Sequence, residues 1–183
     1  LSPATSKLLA GLDQPLLIRA YFSEKTHPKL APLVPRIKDM LEEYRIAGGR
    51  NVKVEIVDPS SDDGAIKEAK EAFGIESIPV RFASRTEQSV LNVYFHLLVQ
   101  YGDHHEVLTF SDLIEVRPVG TDDVEIGLKN FEYDMTKTIK KVARYQQFEA
   151  VNDIVDRTLA LIGKTASAQD RTGLVWHTQG SGK

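Results

Sequence analysis

The residues whose types and spacing suit chemistry lie at the end of the chain, in GLVWHTQGSGK, Gly173 to Lys183. A phosphate-binding loop has the form GxxxxGK[ST]. Its backbone N–H groups surround the phosphates, its lysine reaches the outer ones and its hydroxyl holds magnesium. Gly182-Lys183 matches the close of that pattern, Gly180 sits two residues earlier, and His177 stands at the first glycine position. The Ser/Thr position and the helix whose N-terminus faces the phosphates would follow Lys183. The expectation is a remnant of a nucleotide site with Gly180, Gly182 and Lys183 as its cofactor-binding residues. ATP and magnesium enter only where the sequence runs on past Lys183. The 183 residues alone are expected not to hydrolyse ATP and not to gain melting temperature from Mg-ATP.

Other clusters read as structural. His104-His105 lie between Asp103 and Glu106, but neighbours in a strand point to opposite faces and do not converge on a metal. Asp58, Asp62 and Asp63 lack the alternating ligand series of a calcium loop and suit a helix cap. Ser23, Glu24 and His27 share one loop with no orienting partner. His96 belongs to an apolar strand and reads as core or half-exposed. Tyr21, Tyr44, Tyr94 and Phe95 fit core faces better than a base-stacking platform. Lys137, Lys140 and Lys141 crowd a helix end, where cations suit the dipole. No catalytic or metal-ligating residue is assigned, and the chain is expected not to be an enzyme.

Composition narrows the classes. The formal net charge of −3 gives no overall basic field, and the absence of cysteine removes disulfides, thiolate metal sites and thiol nucleophiles. The longest apolar run, Val90 to Val99, is interrupted by Asn92 and His96 and is too short to span a bilayer. The first residue is Leu1 rather than Met, so an anchor or export signal upstream is an open expectation.

The elements that must carry these residues follow from period and punctuation. Ser2, Pro3 and Gly11 bracket a short helix, Gly11 in a left-handed end, and Pro15 opens a strand, Leu16 to Phe22. Leu33, Ile37, Met40, Leu41 and Tyr44 mark an amphipathic helix within Leu30 to Ile46, stopped by Gly48-Gly49. Val52, Val54 and Ile56 alternate to one side of a strand that Asp58-Pro59 ends. A helix through Ile66, Ala69 and Phe73 leads to a strand at Ile75 to Phe82. One long strand, Val90 to Tyr101, turns at Gly102-Asp103 into a partner, Glu106 to Phe110. Arg117 to Asp123 reads as a loop, and a helical period through Leu128, Phe131, Met135, Ile139 and Val142 resumes at Glu125. The expected fold is α/β: a thioredoxin-like βαβ unit, a β-hairpin and a closing helix, with a cis bond at Ile78-Pro79. A helical extension and a short strand, Gly173 to His177, follow.

Two stretches resemble known families. LSPATSKLLAGLDQPLLIRAYFSE, LAPLVPRIKDMLEEYR, VKVEIVDPSSD, GIESIPV and FEYDMTKTIKKV, within residues 1 to about 142, resemble the auxiliary domain of gliding-motility-type ABC transport systems. That resemblance implies a non-catalytic interaction module on the extracytoplasmic (periplasmic) side of the membrane, anchored by a preceding helix. Its partners would be the permease and ATPase subunits or a cell-envelope ligand, with no nucleic acid. ARYQQFEAVNDIVDRTL and DRTGLVWHTQGSGK, within about Ala143 to Lys183, resemble the start of the motor domain of the type I restriction enzyme R subunit, a superfamily 2 DNA translocase. That second resemblance implies ATP, DNA and the cytoplasm, and an adenine contact near Gln146 and Gln147. The alternative function is thus a fragment of an ATP-dependent restriction translocase, inactive as truncated. The two compartments conflict, so a junction is expected near Lys141 to Arg144, as in a chimera, dividing the chain into 1–142 and 143–183.

Overall fold

The structure, a computed structural model, describes residues 1–61, 63–83, 88–119 and 123–144. Ser2 caps the first helix, α1 (Pro3–Ala10), its hydroxyl accepting from Thr5 N at 3.3 Å. In β1 (Leu16–Phe22) the period of two puts Leu16, Ile18 and Ala20 fully inside on one face. In α2 (Leu33–Gly48) the steps from Leu33 to Ile37, Leu41 and Tyr44 build one buried stripe. A Cβ on Gly48 would overlap the Val52 side chain, and Gly49 takes a φ of 54°. The missing side chain and the positive φ let the chain pass from the helix through a single 3-10 turn, Gly49–Asn51, into β2 (Val52–Val57).

Strands β1 and β2 pair in parallel, with α2 as their crossover. On its other side β1 pairs antiparallel with β5 (Phe95–Tyr101), which forms a hairpin with β6 (His104–Leu108). The sheet order is β2-β1-β5-β6. One face carries Ile18, Ala20, Phe95, Leu97 and Val99 against α1, α2 and a closing helix α5, residues 131–144. The opposite face carries Tyr21 and Leu98 against α3 (Asp63–Phe73), through Ala69 and Phe73, with Ile75 and Tyr94 beside them. The described residues thus form an α/β domain with a parallel pair, a hairpin and a closing helix, as the residue pattern anticipates.

Several boundaries differ from the sequence expectation. The Val90–Tyr101 run divides at Tyr94 into β4 (Gln88–Val93) and β5. The break is fixed by Ser23, whose N–H donates to Tyr94 O at 3.1 Å while its hydroxyl accepts from Tyr94 N at 2.9 Å. Strand β3 (Ile78–Ala83) starts later than Ile75 and joins β4 in a separate two-stranded sheet. Pro79 lies opposite Asn92 in that regular ladder, and its peptide bond is trans, not cis. The expected loop at Arg117 to Asp123 is instead a hairpin after the short helix α4 (Phe110–Leu113). It pairs β7 (Ile114–Val119) with β8 (Asp123–Leu128), and Pro118 lies within β7. Leu128 therefore ends a strand, and α5 begins at residue 131, with Asn130 Oδ1 accepting from Tyr133 N at 3.2 Å. Gly11 has a φ of −92°, not a left-handed one. Ile56 is 47% exposed on β2, the edge strand of the sheet.

A polar knot locks the helical layer. Glu132 Oε1 accepts from Ser2 N at 2.7 Å and from Thr5 Oγ1 at 2.8 Å. Thr5 Oγ1 also meets Thr136 Oγ1 at 3.0 Å, and Tyr44 Oη donates to Glu132 O at 3.2 Å. Three helices are joined there, and burial pushes the Tyr44 phenol up to about 12. Hydrogen bonds from Ser2 and Thr5 hold the Glu132 carboxyl at about 2, below its ordinary 4.5. A depressed folded-state value means the carboxylate stabilises fully above pH 4.5, and that stabilisation is lost as the pH falls toward 2. Glu132→Gln is expected to cost about 1 kcal/mol at pH 7, after discounting for partial exposure. Urea unfolding of both proteins should show that gap shrinking between pH 4.5 and pH 2. A gap independent of pH would show that the charge plays no part.

Candidate functional site

Gly180, Gly182 and Lys183 lie outside the described residues, as do Gln146, Gln147 and the short strand at Gly173 to His177. The helix that leads toward them is described. In α5 the four-residue steps Phe131, Met135 and Ile139, with Val142 beyond, turn one stripe inward, with Phe131 4% exposed and Ile139 fully buried. Phe131 stands edge-on to Tyr44, with ring centroids 6.4 Å apart. Near the end of α5, Lys141 pairs with Glu106 of β6 at 2.6 Å. The last described helical turn is therefore anchored to the sheet, two residues short of position 146.

The structure also places the other candidate residues. The Ser23 hydroxyl meets Tyr94 N and, at 3.2 Å, Ser60 Oγ rather than an imidazole. His27 Nδ1 accepts from Lys29 N at 3.2 Å, and burial followed by the nearby Lys29 charge lowers its pKa. The Ser23 hydroxyl thus holds backbone and meets a second hydroxyl, and His27 holds backbone. Asp58 accepts from Glu24 N at 2.7 Å and from Ser60 N at 2.9 Å, tying the ends of β1 and β2 together. Asp62 lies outside the described residues, and Asp63 opens α3.

His105 stands edge-on to Phe73 of α3 with ring centroids 5.2 Å apart, while its neighbour Glu106 reaches α5 on the opposite face. The strand period thus parts these side chains, and no metal-ligand group occurs among the described residues. His96 is buried, which lowers its pKa. Tyr21, Tyr44, Tyr94 and Phe95 are all core residues.

One constellation escapes sequence reading. Arg19 Nε donates to Glu55 Oε2 at 2.7 Å, and its Nη1 donates to Glu68 Oε1 at 2.8 Å and to Tyr21 Oη at 3.4 Å. Burial opposes the Arg19 charge, but hydrogen bonds with Tyr21, Glu68 and Glu55 outweigh it and raise its pKa. Hydrogen bonding by Lys53, and then by Arg19, lowers the Glu55 carboxyl. An arginine inside an alternating strand is the only sequence signal, since its partners come from β2 and α3. Through two carboxylates and a phenol, this network clamps α3 to the sheet.

No helix among the described residues is long and apolar enough to cross a membrane.

The comparisons divide along the chain. A family model described as Domain of unknown function (DUF7088) matches residues 1–100. A model described as SWI2/SNF2 ATPase matches residues 146–183. The Type I restriction enzyme HindI endonuclease subunit of Haemophilus influenzae (strain ATCC 51907 / DSM 11121 / KW20 / Rd) is 53% identical over 55 residues. That alignment covers 29% of this chain and only 5% of the relative. No solved structure matches. These matches support the restriction-enzyme resemblance of the tail, and neither description nor that relative is a transport protein. Residues 1–100 are more than half of the 183, and the chain belongs to the family described as Domain of unknown function (DUF7088), while residues 146–183 are similar to SWI2/SNF2 ATPases.

Proposed function

We propose that residues 146–183 are the leading edge of an ATP-driven DNA-translocating module of the type I restriction kind, carried behind an α/β interaction domain. The observation that carries this reading is the SWI2/SNF2 match over residues 146–183, which runs through Gly182-Lys183, beside a 53% identity to the restriction subunit over 55 residues, a stretch longer than that segment. Gly180 and Gly182 would let the backbone approach phosphates, and Lys183 would meet their outer charges. Magnesium would be held by a hydroxyl and a carboxylate outside these residues. The partners are then duplex DNA and the other restriction subunits, and the compartment is the cytoplasm. Residues 1–142 act as a scaffold without chemistry of their own, and the strand order β2-β1-β5-β6 supports a thioredoxin-like reading of that scaffold.

The test is ATP hydrolysis by the polypeptide encoded across the whole locus, with and without duplex DNA. DNA-stimulated hydrolysis is expected. A reading frame without further ATPase motifs, or a purified product without turnover, would overturn the reading. The second reading, an auxiliary domain of an ABC transport system, rests on the sequence resemblance of residues 1–142. It requires a membrane-spanning helix encoded upstream and co-purification with a permease.

A further inference from the structure

The exposed face of α5 carries a charge pattern that the fold does not use. Residues 135–144 read MTKTIKKVAR, with four cations and no acid. At about 100° per residue, Lys137, Lys140, Lys141 and Arg144 fall within an arc of about 100°, opposite the buried stripe of Met135, Ile139 and Val142. All four cations are exposed. Lys141 is taken up by Glu106 at 2.6 Å. Lys137, Lys140 and Arg144 have no ion pair among the described residues. Tyr133, on the same side of the helix one turn earlier, is 62% exposed.

We infer that this stripe is a contact for the phosphate backbone of duplex DNA. The inference rests on the motor reading and gives residues 1–144 a part in it. From residue 137 to 144 the helix runs about 10 Å. Duplex DNA presents one negative charge per about 1.7 Å of axis, so three cations at that spacing meet phosphates without reading bases. The net charge of −3 argues against a global field, and the stripe is local, on the helix that leads into the ATPase-like segment. Cations near a helix end also suit its dipole. Dipole pairing alone would affect stability without producing a salt-dependent affinity for a polyanion.

The test is fluorescence anisotropy of a labelled 20-base-pair duplex with the 183-residue chain, across a salt series. Three phosphate contacts contribute about −2.7 to the slope of log affinity on log salt. The triple variant K137Q/K140Q/R144Q is expected to lose that contribution and to bind more than about tenfold weaker at low salt. K137R/K140R/R144K keeps the charges and should keep the slope. Glu106→Gln frees Lys141 and should tighten binding. An unchanged slope in the Gln variant overturns the inference and leaves the motor reading standing. Binding to phosphatidylglycerol vesicles through the same cations, without DNA binding, overturns the inference and counts against the motor reading. Binding to neither overturns the inference alone, because the locus-encoded ATPase judges the reading separately.

Discussion

Phe95→Ala is expected to lower the stability of the domain by roughly 3–5 kcal/mol, the usual cost of emptying a buried aromatic site. Phe95 is fully buried at the point where the chain leaves the small β3–β4 sheet and enters the main one. Its ring lies 4.8 Å from that of Phe22 and 5.8 Å from that of Phe110, so it joins the end of β1 to the short helix α4. The cavity opens where the paired ends of β1 and β5 face α4. A native domain holds only about 5–15 kcal/mol in total, so the variant should lose between about a fifth and all of its stability. Phe95→Leu keeps most of the volume and should lose less than about 1.5 kcal/mol. Urea unfolding followed by circular dichroism measures both. A loss below about 1 kcal/mol for the alanine variant would mean that the three elements are held elsewhere.

Lys183→Ala, in the polypeptide encoded across the locus, is expected to reduce DNA-stimulated ATP hydrolysis by about 100- to 1,000-fold. That is the range seen when one preorganised charge-stabilising group is removed from a transition state. On the motor reading a lysine ammonium would bring a compact charge to the outer phosphates, whereas arginine would spread the same charge over a planar fork. Lys183→Arg should therefore fail nearly as badly. Neither change should alter the melting of residues 1–144, whose described core closes with Val142. Hydrolysis within about tenfold of the parent would exclude Lys183 from phosphate contact, because one lost charge contact costs more than that.

The parts of the fold that the sequence announces are those whose burial is decided locally. β1, α2 and β2 each carry a complete period, and Gly48-Gly49 supplies a stop that its backbone geometry requires. The elements misread are those decided by distant partners. Val90 to Tyr101 keeps one strand-like pattern through Asn92, His96 and Gln100, and nothing within it marks Tyr94 as the point of departure; the marker is Ser23, more than seventy residues away. Pro118 and Gly120 suggest a loop, yet the face formed by Ile114, Val116, Ile126 and Leu128 pairs across a hairpin. The polar clusters follow the same logic. Arg19 finds Glu55 because β1 and β2 align them directly, and Glu132 finds Ser2 and Thr5 only after α1 and α5 pack. The expectation at Gly182-Lys183, which lies outside the described residues, rests on the opposite logic, since a phosphate loop is made by contiguous backbone.

Two segments with separate stability are the premise beneath every expectation above, and thermal melting of residues 1–144 beside the 183-residue chain tests it most directly. A single cooperative transition is predicted for the shorter protein, with a midpoint within about 3 °C of the longer one, equivalent to less than about 1 kcal/mol. A shorter protein that unfolds without cooperativity, or melts more than about 10 °C lower, would show that the ATPase-like segment completes the domain's core.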